Sequence, residues 1–397
     1  MKSLVIEQSD EVGDVWKKRY DYLSLHFPHW PDALPYFKYP QHWTTYTPAQ
    51  KQGLYMQGYA SALELDVWTK STVEKVEQYS EGKWTVLINK GINEGKKSRT
   101  LHPKHVIMAT SLCGVPLTPD VAGMADFKGV IRHSSAHDSS REFVGKKVCV
   151  VGTSSSGFDT AYECARLGID VTLIQRSPTY AVSLTHSVPR MLGGYAPDKN
   201  GNLPDLEEQD RLFFSTPVGP GEELGRHTAK VLEDLDKPLL EALNAQGLQT
   251  WGGQRNTGNS TLSQTRNGGF YFDAGACEEI INGNIKVERG YIERFTSDKV
   301  ILNGNREREF DLVIFATGFS NTIDSIRATL GEKIASQCGP VWGIDEEGEY
   351  KTDYRETGVP NLWIMVGFLP MTRYASKLLA LRLKALSEGI SPPPYKI

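Results

Sequence analysis

The chain has 397 residues, 39% hydrophobic and 23% charged, with 8 Trp, 17 Tyr and 14 Phe, which is material for two or three domains and too apolar for extended disorder. Lysine and arginine number 44 against 48 acids, a net charge of −4, and this balance excludes the electrostatic footprint of a binder of nucleic acid or anionic membrane. The five cysteines (Cys113, Cys149, Cys164, Cys277, Cys338) are scattered without a CxxC pair, a pattern of reduced thiols and not of a disulfide framework or a structural zinc.

In chain order, SLVIE (Ser3 to Glu7) reads first, as a buried parallel strand. Acids follow too early for a signal peptide and no apolar run reaches the ~18 residues of a spanning helix, so the chain is expected to be soluble and cytoplasmic. Between residues 73 and 110, VEKVEQ, KWTVLIN and SRTLHPKHVIMAT, parted by the polar stretch Asn89 to Ser98, predict an antiparallel meander followed by another strand. KKVCVVG (Lys146 to Gly152) and DLVIFATG (Asp311 to Gly318) are two further buried strands running into small residues. From about Pro204 to Gln246 a Leu-, Glu- and Asp-rich helical pattern, broken at PVGPGEELG, is expected to cap a cleft. Met371 to Glu388 sets Tyr374, Leu378, Leu381 and Ala385 at helical spacing before Gly389, which predicts a closing helix, and SPPPYKI reads as a surface tail.

The stretch KKVCVVGTSSSGFDTAYECARLGIDVTLIQRSPT has the order strand, Gly-rich turn, helix, strand that a dinucleotide fingerprint requires. Gly152 supplies the tight turn and Gly157 the close helix–strand approach, while Ser154 stands at the second glycine position and can still donate a hydrogen bond. The helix opening at Ser155 presents free N–H groups and its positive dipole end to a pyrophosphate, with Phe158, Ala161 and Ala165 inward and Gly168 as its stop. The second strand ends at Gln175, where an NAD site would carry an acid, and Arg176 and Ser177 follow at once. An arginine without the acid favours a 2′-phosphate, hence NADP.

Beyond that motif the chain resembles the flavin-containing monooxygenase family, in its bacterial, fungal and YUCCA-related branches, nearly end to end. In FKGVIRHSSAH, Phe127, Gly129 and His133 match the FxGxxxH core of the family fingerprint, and His137 stands where Tyr or Phe is preferred. DLVIFATGFSN matches the return strand, with Ala316, Thr317 and Gly318 as its ATG turn, and PNLWIMVGFLPMTRYASKLLALRLKALSEGI places Gly367 and the start of the closing helix near the isoalloxazine. The resemblance implies an α/β fold of two Rossmann-like dinucleotide-binding domains, the NADP domain inserted in the FAD-type domain. The boundaries it implies are 1–143, 144–318 with the helical insert at about 204–250, and 319–397. The implied activity is FAD- and NADPH-dependent oxygenation of a small organic molecule through a C4a-(hydro)peroxyflavin. No acid–base pair is demanded by that chemistry, and the catalytic candidates are His133, which reads more readily as a positioning histidine between the domains, and Arg373. His133 and His137 lie four apart without a third ligand, so no metal is expected. His26 and His29, among aromatics and prolines, read as structural or cleft-lining.

Against the family pattern, the chain starts at what corresponds to the second strand of the flavin fold. Glu7 takes the ribose position, Gly13 and Trp16 the G-x-x-W turn, and Arg19 and Tyr20 follow. The first strand and phosphate loop of the FAD domain are therefore expected to be missing, leaving unpaired strand edges on both sides of a gap. Ser111 in the first ATG-like turn replaces the preferred glycine and is expected to be strained if the turn needs positive φ. Two alternatives stay open: an N-truncated, flavin-free NADP(H)-binding paralogue with a regulatory role or no catalytic one, and an unrelated use of the fold.

Overall fold

The computed structural model describes residues 2–91 and 97–392. The middle of the polar stretch after Asn89 and most of the SPPPYKI tail lie outside the described residues. On the N-terminal side, β1 (Val5–Ile6), α1 (Asp14–Lys17), α2 (Ala49–Ala62) and β2 (Val67–Trp68) precede the antiparallel meander β3 (Ser71–Ser80), β4 (Lys83–Lys90) and β5 (Lys97–Leu101) and the strand β6 (Val106–Met108). Next come β7 (Val130–His133), β8 (Lys147–Val151), α3 (Ser155–Arg166), β9 (Asp170–Gln175), β10 (Tyr180–Ser183) and α4 (Ser187–Met191). The insert holds α5 (Leu206–Phe214), α6 (Val218–Leu235) and α7 (Lys237–Ala245), followed by α8 (Asn259–Thr265), β11 (Phe270–Asp273), α9 (Ala276–Ile281) and β12 (Ile285–Arg289). A second meander of β13 (Ile292–Phe295), β14 (Val300–Leu302) and β15 (Arg306–Arg308) leads to β16 (Leu312–Phe315). The chain then returns through α10 (Thr322–Leu330), α11 (Glu332–Ala335), β17 (Leu362–Ile364) and the closing helix α12 (Leu369–Glu388).

The central body is a five-stranded parallel sheet in the order β12-β9-β8-β16-β7. Alternation along its strands serves two faces. Val148, Val150, Val171, Leu173, Leu312 and Ile314 pack on Phe158 and Ala161 of α3 and on α9, while Cys149, Ile174, Val313 and Phe315 pack on Phe295 and Val300 of the second meander. A parallel sheet covered on both faces is the stable form of this architecture. The expected strands at 146–152 and 311–318 are thus two of its three inner members, with β9 the third. β7, which lies before the expected boundary at 143/144, pairs with β16, His133 opposite Phe315. The nucleotide sheet draws its edge strand from earlier in the chain, and the backbone groups of Val130–His133 pair the otherwise free edge of β16.

The flavin-type side differs. Its parallel strands form two separate two-stranded pairs, β1-β2 and β17-β6. Val5 is consequently 48% exposed, against the expectation of a buried strand, since a strand with one partner has no sheet to be buried in. Its core joins the pair β17-β6, through Leu362 to Ile364 and Met108, to Trp84 and Ile88 of the first meander, Ile326 and Leu330 of α10, and Met371 and Leu379 of α12.

The insert is three helices, and the expected break falls at residues 215–217, at the start of PVGPGEELG and not through it. PVGPGEELG opens α6, with Pro217 as N-cap and Pro220 in the first turn, where a missing N–H costs nothing. Helices α6 and α7 cover the parallel pair β10-β11, and a cleft of about 370 Å³ opens between them, lined by Tyr180, Lys230, Glu233, Asn244, Thr250 and Trp251. The cleft that the insert caps is therefore its own.

Candidate functional site

At the C-terminal end of β8 the chain turns through Gly152 with φ 115°, and a Cβ there would lie 2.4 Å from the Ala316 carbonyl oxygen. Gly157 has ordinary φ but touches the turn: a Cβ would lie 1.9 Å from the Gly152 carbonyl oxygen. Only glycine fits either place. The helix they admit, α3, has Ser154 as N-cap with no side-chain cap, so its first N–H groups, at Ser155 and Ser156, are left to a ligand, with the helix dipole behind them. Gly168, at φ 69°, ends the helix as expected.

Ser154 departs from expectation. Its hydroxyl donates to the Phe270 carbonyl at 3.2 Å and accepts from Gly269 N at 3.2 Å, so the side chain ties β11 to the turn and only the backbone is offered to a phosphate. Gln175 is recruited in the same way: its amide accepts from Gln249 N at 2.6 Å and donates to Gln249 O at 2.9 Å. The position that would carry an acid in an NAD site thus pins the end of the insert. Thr179 Oγ1 donates to Thr153 O at 2.6 Å. Arg176 and Ser177, both exposed, are carried on a turn fixed at each end, beside the glycine turn. The residues present fit an NADP: a cradle that a Cβ would fill, free helix N–H groups, and a cation with no competing carboxylate on the strand end.

His133 lies between the two bodies. Its Nδ1 accepts from Ser135 N at 3.1 Å, so Nε2 carries the proton and donates to Gly318 O at 3.0 Å. Burial pulls this imidazole below its usual value, against the Gly318 bond. Gly318, at φ 83°, also accepts from Leu117 N at 3.0 Å, and Thr317 Oγ1 donates to Leu117 O. Both chain crossings between the bodies are stitched here. His133 is thus satisfied on both nitrogens, a geometry that suits the positioning reading better than the catalytic one.

Arg373, the other catalytic candidate, is 3% exposed. Nε and Nη2 fork onto Asp210 of α5 at 2.7 and 2.6 Å, and Nη1 donates to the Pro31 and Ala33 carbonyls at 2.6 Å each. Every nitrogen is engaged, so this arginine clamps α12, the insert and the N-terminal segment together, which corrects the catalytic assignment. No sequence signal marks Asp210 as its partner.

On the flavin-type side, Glu7 sits just beyond β1 with Oε1 accepting from Ser9 N at 2.7 Å. Gly13, at φ 87°, touches Gly53 of α2, and Trp16 follows in α1. Arg19 Nε is buried without a partner among the described residues, as a group awaiting an acceptor would be. Ser111 does take positive φ, 87°, and Gly367 lies at φ 129° against Met371 and Trp342. These residues suit the outer parts of a flavin. Among the described residues, however, no glycine turn runs from a strand into a helix on this side to hold a second pyrophosphate, so the fit to FAD is incomplete.

A family model described as pyridine nucleotide-disulphide oxidoreductase matches residues 31–191. Indole-3-pyruvate monooxygenase YUCCA1 of Oryza sativa subsp. japonica is 28% identical over 326 residues, covering 81% of this chain and 71% of that protein. YUCCA6 of Arabidopsis thaliana is 27% identical over 334 residues, 81% and 71% of the two chains. Among solved structures, a flavin-containing monooxygenase from Stenotrophomonas maltophilia superposes with TM-score 0.61 at 17% identity over 97% of this chain and 91% of its own. OTEMO in complex with FAD and NADP gives 0.64 at 18% identity over 98% and 82%. The fold is that of the flavin monooxygenases with two dinucleotide-binding domains.

Proposed function

We propose that this chain, a relative of the flavin-containing and YUCCA-type monooxygenases, binds NADPH at the turn of residues 152–157 and uses it in a flavin-dependent oxygenation of a small organic molecule. The observation that carries the reading is the cradle made by Gly152, Gly157 and the open N-terminus of α3, with Arg176 on an anchored turn beside it. Backbone N–H groups of Ser155 and Ser156 hold the pyrophosphate, and Arg176, with Ser177, takes the 2′-phosphate. His133 fixes the ATG turn at Gly318 and so the relation of the two bodies, and Arg373 holds the insert to α12. FAD, with Glu7, Trp16, Arg19, Thr317, Gly318 and Gly367 around it, would supply the oxygen chemistry, and the protein supplies orientation and a dry pocket. A soft nitrogen, a sulfur or a carbonyl neighbour is the substrate class that such chemistry serves. No helix of the described residues is long and apolar enough to cross a membrane.

A second reading is favoured by one observation, the division of the flavin-side sheet into two pairs: a flavin-free NADP(H)-binding protein. Visible absorption of the purified chain with added FAD, followed by NADPH-dependent oxygen uptake, separates the two. Bound flavin with NADPH-driven uptake is the expected result. NADPH binding by a colourless chain that takes up no oxygen would move the assignment to the second reading, and failure to bind NADPH would end both.

A further inference from the structure

Residues 20–27 leave the N-terminal body and lie along the nucleotide-binding body, with a polar or aromatic contact to it at five of the eight residues. Tyr20 Oη donates to Asp159 Oδ2 at 3.0 Å, and His26 Nε2 meets Asp159 Oδ1 at 3.0 Å. Asp21 accepts from Arg141 Nε at 2.7 Å and from Ser139 Oγ at 3.1 Å. Tyr22 meets Tyr162 edge-on, His26 meets Tyr271, and Phe27 meets Phe272. The strap is anchored to its own side by Leu25 N on Thr47 O and Ala49 N on Leu23 O, at 2.8 and 2.9 Å. Asp159, buried in the second turn of α3 two residues beyond Gly157, is therefore the carboxylate on which a distant segment closes, with one oxygen for each partner.

We propose that residues 20–27 are a proton-linked clamp between the two bodies, closed by the His26 imidazolium on Asp159, and that Asp159 is thereby a positioning residue for the helix that carries the nucleotide turn. A charge-assisted bond of this length is about twice as strong as its neutral counterpart, so the clamp tightens when His26 is protonated. Burial lowers this imidazole, but the charge and hydrogen bond of Asp159, with Asp273 of β11 beyond, outweigh it and leave the pKa raised above 6.5. The clamp's contribution is therefore complete below the unfolded value of 6.5 and is lost as pH rises through the higher folded value. The other charged or titratable groups around the junction are Glu163 of α3, Tyr271 and Asp273 of β11, Cys277 of α9, Asp138, Arg141 and Glu142 of the turn before β8, and Arg19, Tyr20 and Asp21 of the strap side. Glu163 is held neutral to about 7 by burial and adds no competing charge below that.

The test needs no cofactor. Amide hydrogen exchange of the ligand-free chain is followed at about pH 6 and about pH 9, the range over which an imidazole of this kind loses its charge, with intrinsic rates divided out. Protection of residues 20–27 should fall about fivefold from the lower pH to the higher, while strands β8 and β16 stay unchanged. His26→Gln should show no difference between the two conditions. Asp159→Asn should be weakly protected at both. Tyr20→Phe should lose protection equally at each pH and keep the pH difference, which separates the clamp from general loosening. Equal wild-type protection at both pH values, a pH difference surviving in His26→Gln, or a loss shared by β8 and β16 would overturn the proposal.

Discussion

The nucleotide side and the flavin side are built from the same kind of parts, short apolar strands ending in small residues, and they come out differently. On the nucleotide side five parallel strands share one sheet, both faces are covered, and the glycines stand where a Cβ would strike backbone. On the flavin side the parallel strands stop at two pairs, an outward valine is half exposed, and a serine occupies a left-handed turn. A parallel strand is stable when neighbours fill both its edges and its faces, and the nucleotide site depends on this because its turn leaves a strand paired on both sides. The departures from the family pattern gather on the side where the sheet is interrupted.

The nucleotide side is most sensitive at Gly157. Gly157→Ala drives a methyl group into the Gly152 carbonyl, and NADPH binding followed by fluorescence titration should be lost, by about a hundredfold or more in Kd, with destabilisation of roughly 2–4 kcal/mol. Retained affinity would mean that the cradle is not the site. Next in size, Arg373→Met should cost about 3–5 kcal/mol in a denaturant melt, because it leaves the buried Asp210 charge with only the Tyr195 hydroxyl on it. Coupling of Arg373→Met with Asp210→Asn, seen as a double change less harmful than the sum, would establish the clamp.

A pH effect follows from Asp353, which is 3% exposed, accepts from Trp342 N at 3.1 Å through Oδ2, and has no partner for Oδ1 among the described residues. Burial pushes its carboxyl up from 3.8 to about 7, against the Trp342 bond. The folded chain therefore holds this proton more tightly than the unfolded one, so its contribution is whole below 3.8 and falls as pH rises towards 7. Asp353→Asn should flatten the decline in melting temperature between these limits, and an unchanged slope would place the carboxyl elsewhere. The smallest effect is a gain: Ser111→Gly relieves the left-handed strain and should add about 1 kcal/mol, read as a rise in melting temperature on the flavin side alone.

Local signals were legible in the sequence. The meander at 71–101, the unit β8-α3-β9 with its two obligatory glycines, the closing helix before Gly389 and the strain at Ser111 all follow from periodicity, turn chemistry or the missing Cβ. What escaped was decided by distant partners. Arg373 looks like a candidate for chemistry until Asp210, 163 residues away, closes on it. Ser154 and Gln175 stand at nucleotide positions, yet their side chains are taken by Gly269, Phe270 and Gln249. The helix at 218–235 hides behind two prolines that a first turn tolerates. Asp159 carries no motif at all, and its importance comes from a strap that arrives from residues 20–27.

The most direct measurement is the affinity of the chain for NADPH and for NADH, before and after Arg176→Ala, by the same titration. A complete nucleotide side with a 2′-phosphate arginine predicts that the wild-type chain prefers NADPH by about tenfold or more and that the substitution removes the preference while sparing NADH. Equal affinities in the wild type, or equal losses for both nucleotides in the variant, would contradict the account.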